Sequence, residues 1–170
     1  DVLYKMDMNK GTKKELATGL NEDQYVASED GHLVAYEKED PSKCKSVTVM
    51  NLETDQEYEV TCKDGECIKP LGFMDGDFVY GVAKTEEVGT TLSGAQVIPM
   101  YKVEITSSKD KVIKTYEQSG IYMLSATFED NMITLDRAVK DGDTYTGTAQ
   151  DYITSSEEAK ESNIYVQTYK

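Results

Sequence analysis

The residues best suited to chemistry in this chain are three cysteines and a single histidine. Cys62 and Cys67 bracket Lys63-Asp64-Gly65-Glu66, a turn-forming tetrapeptide, and that spacing suits a small disulfide loop. A Cys62–Cys67 bridge is therefore expected under oxidising conditions, with a pairing of Cys44 to either left open. Zinc wants four ligands in paired short spacings, and only His32 could join the cysteines, so no metal is expected. His32 follows the Asp30-Gly31 turn, where a lone histidine is far more often exposed than catalytic. Leu92-Ser93-Gly94 lacks the flanking glycine of a nucleophile elbow. Asp141-Gly142-Asp143 opens like a calcium loop, but Tyr145 and Tyr152 stand where an EF-hand-type loop needs its fifth and twelfth ligands. With 32 acidic residues in the chain, some carboxylate pair will meet any catalytic spacing, so such pairs carry no information. No catalytic residue and no cofactor is expected.

The elements that must position these residues are set by composition and repeat. The chain has 170 residues with 18 basic and 32 acidic side chains, a net charge of -14. That charge repels phosphate and excludes a nucleic-acid binder, which needs a basic stripe. No run approaches the ~20 apolar residues of a membrane span. Twelve tyrosines and many threonines suit half-buried strands. The acidic, lysine-over-arginine composition suits a secreted or cell-surface bacterial protein. The chain opens Asp1-Val2-Leu3-Tyr4 directly in a strand pattern, without a basic and apolar leader, and reads as a piece of a longer protein.

Leu3-Tyr4-Lys5-Met6-Asp7-Met8, Val47-Thr48-Val49-Met50-Asn51-Leu52 and Met100-Tyr101-Lys102-Val103-Glu104-Ile105 share one alternation. Each leads through a turn-rich stretch to a second apolar position, Leu16, Val60 or Ile113, which predicts a hairpin used three times. A second, more continuously apolar hairpin follows each first one, around Asp30-Gly31, Asp75-Gly76 and Asp130-Asn131. Four short antiparallel strands per unit, at this period, predict propeller-type blades. Blade-like repeats are expected near 3–36, 47–83 and 100–135, then a long insertion at 136–163 and a terminal strand at 164–169. The expected fold is all-β, antiparallel, a partial propeller of about three blades. Helix is expected only near 154–161, where Ser155-Ser156-Glu157-Glu158 reads as a capped start.

The pattern resembles blades of the TolB-like and dipeptidyl-peptidase N-terminal propellers, best at Leu3 to Met8 with Glu29-Asp30-Gly31-His32-Leu33-Val34-Ala35-Tyr36. Gly72-Phe73-Met74-Asp75-Gly76-Asp77-Phe78-Val79-Tyr80-Gly81-Val82-Ala83 is similar to blades in cell-surface proteins of anaerobic Gram-positive bacteria. The resemblance spans roughly 3–135 and implies a fold, not an activity.

Naming the strands of a unit A to D, the A–B and C–D turns lie at one end of a blade. The B–C and D–A links lie at the other, and the B–C links near 37–46, 84–99 and 136–163 are the long ones. Long loops on a rigid scaffold are where binding commonly resides. Glu86, Glu87, Asp141, Asp143, Tyr145, Asp151 and Tyr152 are the candidates there. The expected function is a non-catalytic module of a secreted or cell-surface protein that binds a protein or glycan through this face. The alternative is an accessory propeller gating a hydrolase domain elsewhere in the parent chain. Exposed inner strands rich in Val, Phe, Tyr and Met, with unpaired terminal strands, lead to an expectation of self-association.

Overall fold

The computed structural model describes residues 1–40, 42–108, 111–129, 131–155 and 164–168. The described residues form sixteen strands, two 3-10 turns and no α-helix. The first two strands, β1 (Leu3–Asp7) and β2 (Thr12–Ala17), make an isolated hairpin.

Three four-stranded antiparallel meanders follow, each a blade. The first joins β3 (Tyr25–Ala27), β4 (Leu33–Tyr36), β5 (Ser46–Asn51) and β6 (Glu57–Thr61). The second begins with β7 (Glu66–Met74) and β8 (Asp77–Lys84). The short hairpin of β9 (Gly89–Thr91) and β10 (Gln96–Val97) interrupts it, and β11 (Met100–Thr106) and β12 (Val112–Glu117) complete it. The third joins β13 (Tyr122–Glu129), β14 (Met132–Asp141), β15 (Thr144–Ser155) and β16 (Ile164–Thr168). A bridge between Met100 and Met123 and a parallel pairing of β9 with β15 join the second and third blades into one ten-stranded sheet.

The period-2 alternation of strands builds the stack. Along β8, Phe78, Tyr80 and Val82 enter the core shared with the first blade, beside Ala35, Val47, Val49 and Val60. Val79 and Ala83 face the opposite way, into the core shared with Met123, Ile133, Leu135 and Ile153 of the third blade. A smaller core of Ala17, Leu20 and Tyr36 holds the first hairpin to the first blade. Burial on both faces is why the inner strands read as continuous apolar runs.

Several expectations change. The stretch 136–163 is not a long link between B and C strands. β14 runs on to Asp141, the chain turns at Gly142 with φ +63°, and β15 returns through the Thr-Tyr alternation of 144–155. The residues between strands C and D, 156–163, lie outside those described. The terminal strand is accordingly a D strand, paired in the chain to β15 rather than left as a lone C. Ser155 ends a strand; the rest of the expected helix, like Asp130, lies outside the described residues.

The inner strands do not form the exposed apolar surface expected of an open arc. The large exposed apolar side chains fall elsewhere, chiefly Val2, Tyr4, Met6 and Met8 in and beside β1. The far face of the third blade is polar: Ser125 and Gln150 both donate to Asp136 there, at 2.6 Å each.

Candidate functional site

The A strands of the three blades, β3, β7 and β13, converge at the end where the A–B turns lie. They enclose an open groove of about 990 Å³. Its floor is made by Leu71, Phe73 and Met74 of β7 and Phe128 of β13. Gly72 brings the second and third blades close enough to form that floor. A Cβ on it would stand 2.7 Å from the Phe128 ring, so only glycine lets the ring lie across the β7 backbone. Phe73 is held by Phe78, ring centroids 5.4 Å apart.

The rim comes from the turns. Asp75 and Gly76 both have positive φ, 51° and 83°, the conformation a two-residue hairpin turn requires. In the first blade, Ser28 Oγ donates to Asp30 at 2.6 Å and the His32 amide donates to the same oxygen at 3.0 Å. The Ser28 hydroxyl, followed by that amide, holds the Asp30 carboxyl below its ordinary range. Glu29, Asp30, Asp75 and Glu129 line the groove, and no basic side chain does among the described residues. A smaller cavity of about 440 Å³ opens beside it between the first two blades.

Ser28, Asp30 and His32 are neighbours without forming a nucleophile relay. The carboxylate takes the serine hydrogen, and His32 Nδ1 stands 3.6 Å from its other oxygen. In a working relay the imidazole must touch the hydroxyl.

The residues singled out from the sequence lie away from the groove, and several of them brace the fold. Glu87 is bound on all sides: Tyr122 donates to it at 2.7 Å, Lys84 and Lys140 stand at 3.9 and 3.8 Å, and the Tyr145 hydroxyl donates to its carbonyl. The bond from Tyr122 to Glu87, followed by burial, pushes the Tyr122 hydroxyl up to about 12. Tyr145 is buried and meets Tyr122 edge-on. Asp151 is fully buried, accepting from Tyr116 at 2.6 Å beside Arg137 at 3.7 Å. Tyr152 is half-buried on the same strand. Glu86, Asp141 and Asp143 are exposed at the B–C end.

The three cysteines do come together at that end. The Ile68 amide donates to the Cys44 carbonyl and the Cys62 amide to Lys45. All three stand as free thiols in the structure. Two of the side chains join different layers, Cys62 against the core of blades one and two and Cys67 in that of blades two and three. Burial is the chief cause that pushes the Cys67 thiol up to about 11 and Cys44 up to about 12.

Glu37 escaped sequence reasoning altogether. It sits in the run Glu37-Lys38-Glu39-Asp40, which reads as solvated, yet it is 1% exposed and neither carboxyl oxygen has a hydrogen-bond partner among the described residues. Among the described residues no cluster of side chains is arranged to hold a metal, and no helix is long and apolar enough to cross a membrane.

No family model matches the chain, and no curated protein does. Among solved structures it is similar to the β-propeller domain of Cps50 (Swd1) from Myceliophteria thermophila, at 10% identity and a TM-score of 0.28. The likeness covers 85% of this chain and 64% of that one, less than two thirds of the neighbour's length. The fold assignment accordingly rests on the strand pairings and stacked cores of the chain itself.

Proposed function

We propose that this chain is a non-catalytic interaction module of propeller-type blades that takes a partner protein in the groove at its A–B turn end. One observation carries the reading: the apolar floor of Leu71, Phe73 and Phe128 is only partly buried inside a large groove. Partly covered apolar side chains in a concave site, with a few polar groups around them, are the usual makings of a binding site. The B–C end, by contrast, spends Glu87 and Tyr145 on internal bonds. The acidic, lysine-over-arginine surface and the resemblance to TolB-like blades support a secreted or cell-surface setting.

The test is selection from a random-peptide library on the folded chain, followed by counter-selection on Ala27→Trp. Ala27 is exposed and lines the groove, so the indole fills it without touching a core. Binders that are lost on Ala27→Trp support the reading. Binders indifferent to it, but lost when the exposed Glu86 and Asp141 are replaced, move the site to the B–C end and overturn it.

A further inference from the structure

We infer that the segment taken by the groove is a cationic peptide in extended form, carrying Lys or Arg beside apolar side chains. The inference rests on the groove being the partner site and adds the chemistry of what enters it. Each blade contributes acid to the rim: Glu29 and Asp30 from the first, Asp75 from the second and Glu129 from the third. No basic side chain lines the groove among the described residues, so the acids of the rim favour positive charge there. Charge alone does not define it, because the whole chain is acidic at -14 and any polycation is drawn to it weakly.

The floor supplies the selectivity. Lys and Arg lay their aliphatic stems along apolar surface while the charged head stays wet, and the Phe73 and Phe128 rings can also receive a cation over their faces. A segment alternating apolar and basic residues would set one row on the floor and the other against the rim, as the period-2 geometry of an extended chain allows. A groove of about 990 Å³ is at the upper end of ligand-site sizes, roughly 300–1,000 Å³, and holds several residues of such a segment.

Fluorescence anisotropy on the intact chain with three labelled octapeptides tests this. One alternates lysine with leucine or phenylalanine, one replaces its lysines by glutamate, and one is all lysine. The first is expected to bind at least about tenfold more tightly than either of the others. Glu29→Gln with Glu129→Gln, both exposed positions, is expected to weaken it about tenfold, and Ala27→Trp to abolish it. Glu86→Gln with Asp141→Asn should leave it within about twofold. Equal loss from both pairs of substitutions, or an all-lysine peptide binding as tightly as the mixed one, would mean diffuse attraction and overturn the inference. Uncharged library binders that still compete in the groove would overturn the cationic preference while leaving the binding site in place.

Discussion

Glu37 is a buried carboxyl with no hydrogen-bond partner for either oxygen among the described residues. Burial is the main cause that pushes it up to about 8, the Cys44 thiol beside it and Lys69 offset this in part, and Asp23 and Asp40 add to it. An acid whose folded value lies above the ordinary ~4.3 binds its proton more tightly folded than unfolded. Its favourable contribution is complete below about pH 4 and fades as pH rises towards 8. Stability should therefore fall by a few kcal/mol between pH 5 and pH 8. Asp30, Asp40 and Asp55 are lowered and titrate at more acid pH, whereas burial, followed by the Asp75 charge, raises Asp77, which the unaltered chain and Glu37→Gln carry alike. Glu37→Gln keeps the shape without the ionisation, and its urea midpoint should vary much less across the window. Equal slopes in the two proteins would show that Glu37 is not the titrating group. Arg137 poses the opposite case. Its guanidinium bonds Gln118 at 2.7 Å and the Ala149 carbonyl at 2.8 Å beside the fully buried Asp151. Arg137→Ala would remove the cation beside that buried carboxylate and cost about 3–5 kcal/mol. Arg137→Lys should recover little of it, because an ammonium cannot reproduce the planar fork; urea titration of both variants decides. Neither site was legible in the sequence. Glu37 looks like any acid in a charged run, and the lone arginine becomes a clamp only once β12, β14 and β15 are side by side.

At the scale of elements, the hairpins were legible because Asp-Gly and Asn turns separate runs of alternating or continuous apolar residues. The same Asp-Gly chemistry at Asp141-Gly142 does not read as a hairpin, because Arg137, Lys140 and Asp141 break the apolar run of β14, and a polar strand looks like a loop. The strand β15 facing it is rich in Thr and Tyr and buries Tyr145, Asp151 and Ile153. The β9–β10 hairpin also depends on this pair, since β9 adds in parallel at Thr144 and Tyr145. Gly89 makes that approach possible: a Cβ there would meet the Asp143 carbonyl and the Tyr145 ring, each at 2.8 Å. Backbone and a buried ring give little room, so Gly89→Ala should destabilise by about 1–3 kcal/mol. The damage should be local, appearing as faster proteolysis within 85–97 and little change in the first blade. An unchanged digestion pattern would mean that β9 is not held by this contact. The groove, too, was hidden from the sequence, because its floor and rim come from segments some fifty residues apart that meet only when the blades stack.

Across the whole molecule, the stack has ends of unequal strength. The second blade is covered on both faces, by the core with Phe78 and Tyr80 on one side and the core with Val79 and Met100 on the other. The third blade has one apolar face and one polar face. The first hairpin has two strands, a small core of Ala17, Leu20 and Tyr36, and an outward row of Tyr4, Met6 and Met8. Among the described residues it is further tied by the mutual bonds of Asp1 and Leu20, Tyr25 to Asp1, and an exposed pair between Lys5 and Asp55, and surface pairs contribute little. A two-stranded hairpin is marginal by itself. In a chain of stacked units, each contacts only its neighbours, and stability is close to a sum of unit and interface contributions. Amide exchange should therefore be graded, fastest in β1 and β2, intermediate in the first and third blades, and slowest in β7, β8 and β11. Phe78→Ala removes a side chain that is 1% exposed and should cost about 3–5 kcal/mol. Because Phe78 faces the first blade, that substitution should raise exchange in β3 to β6 more than in β13 to β15. Uniform protection along the chain, or equal loosening on both sides of the second blade after Phe78→Ala, would show one undivided cooperative unit instead of a stack.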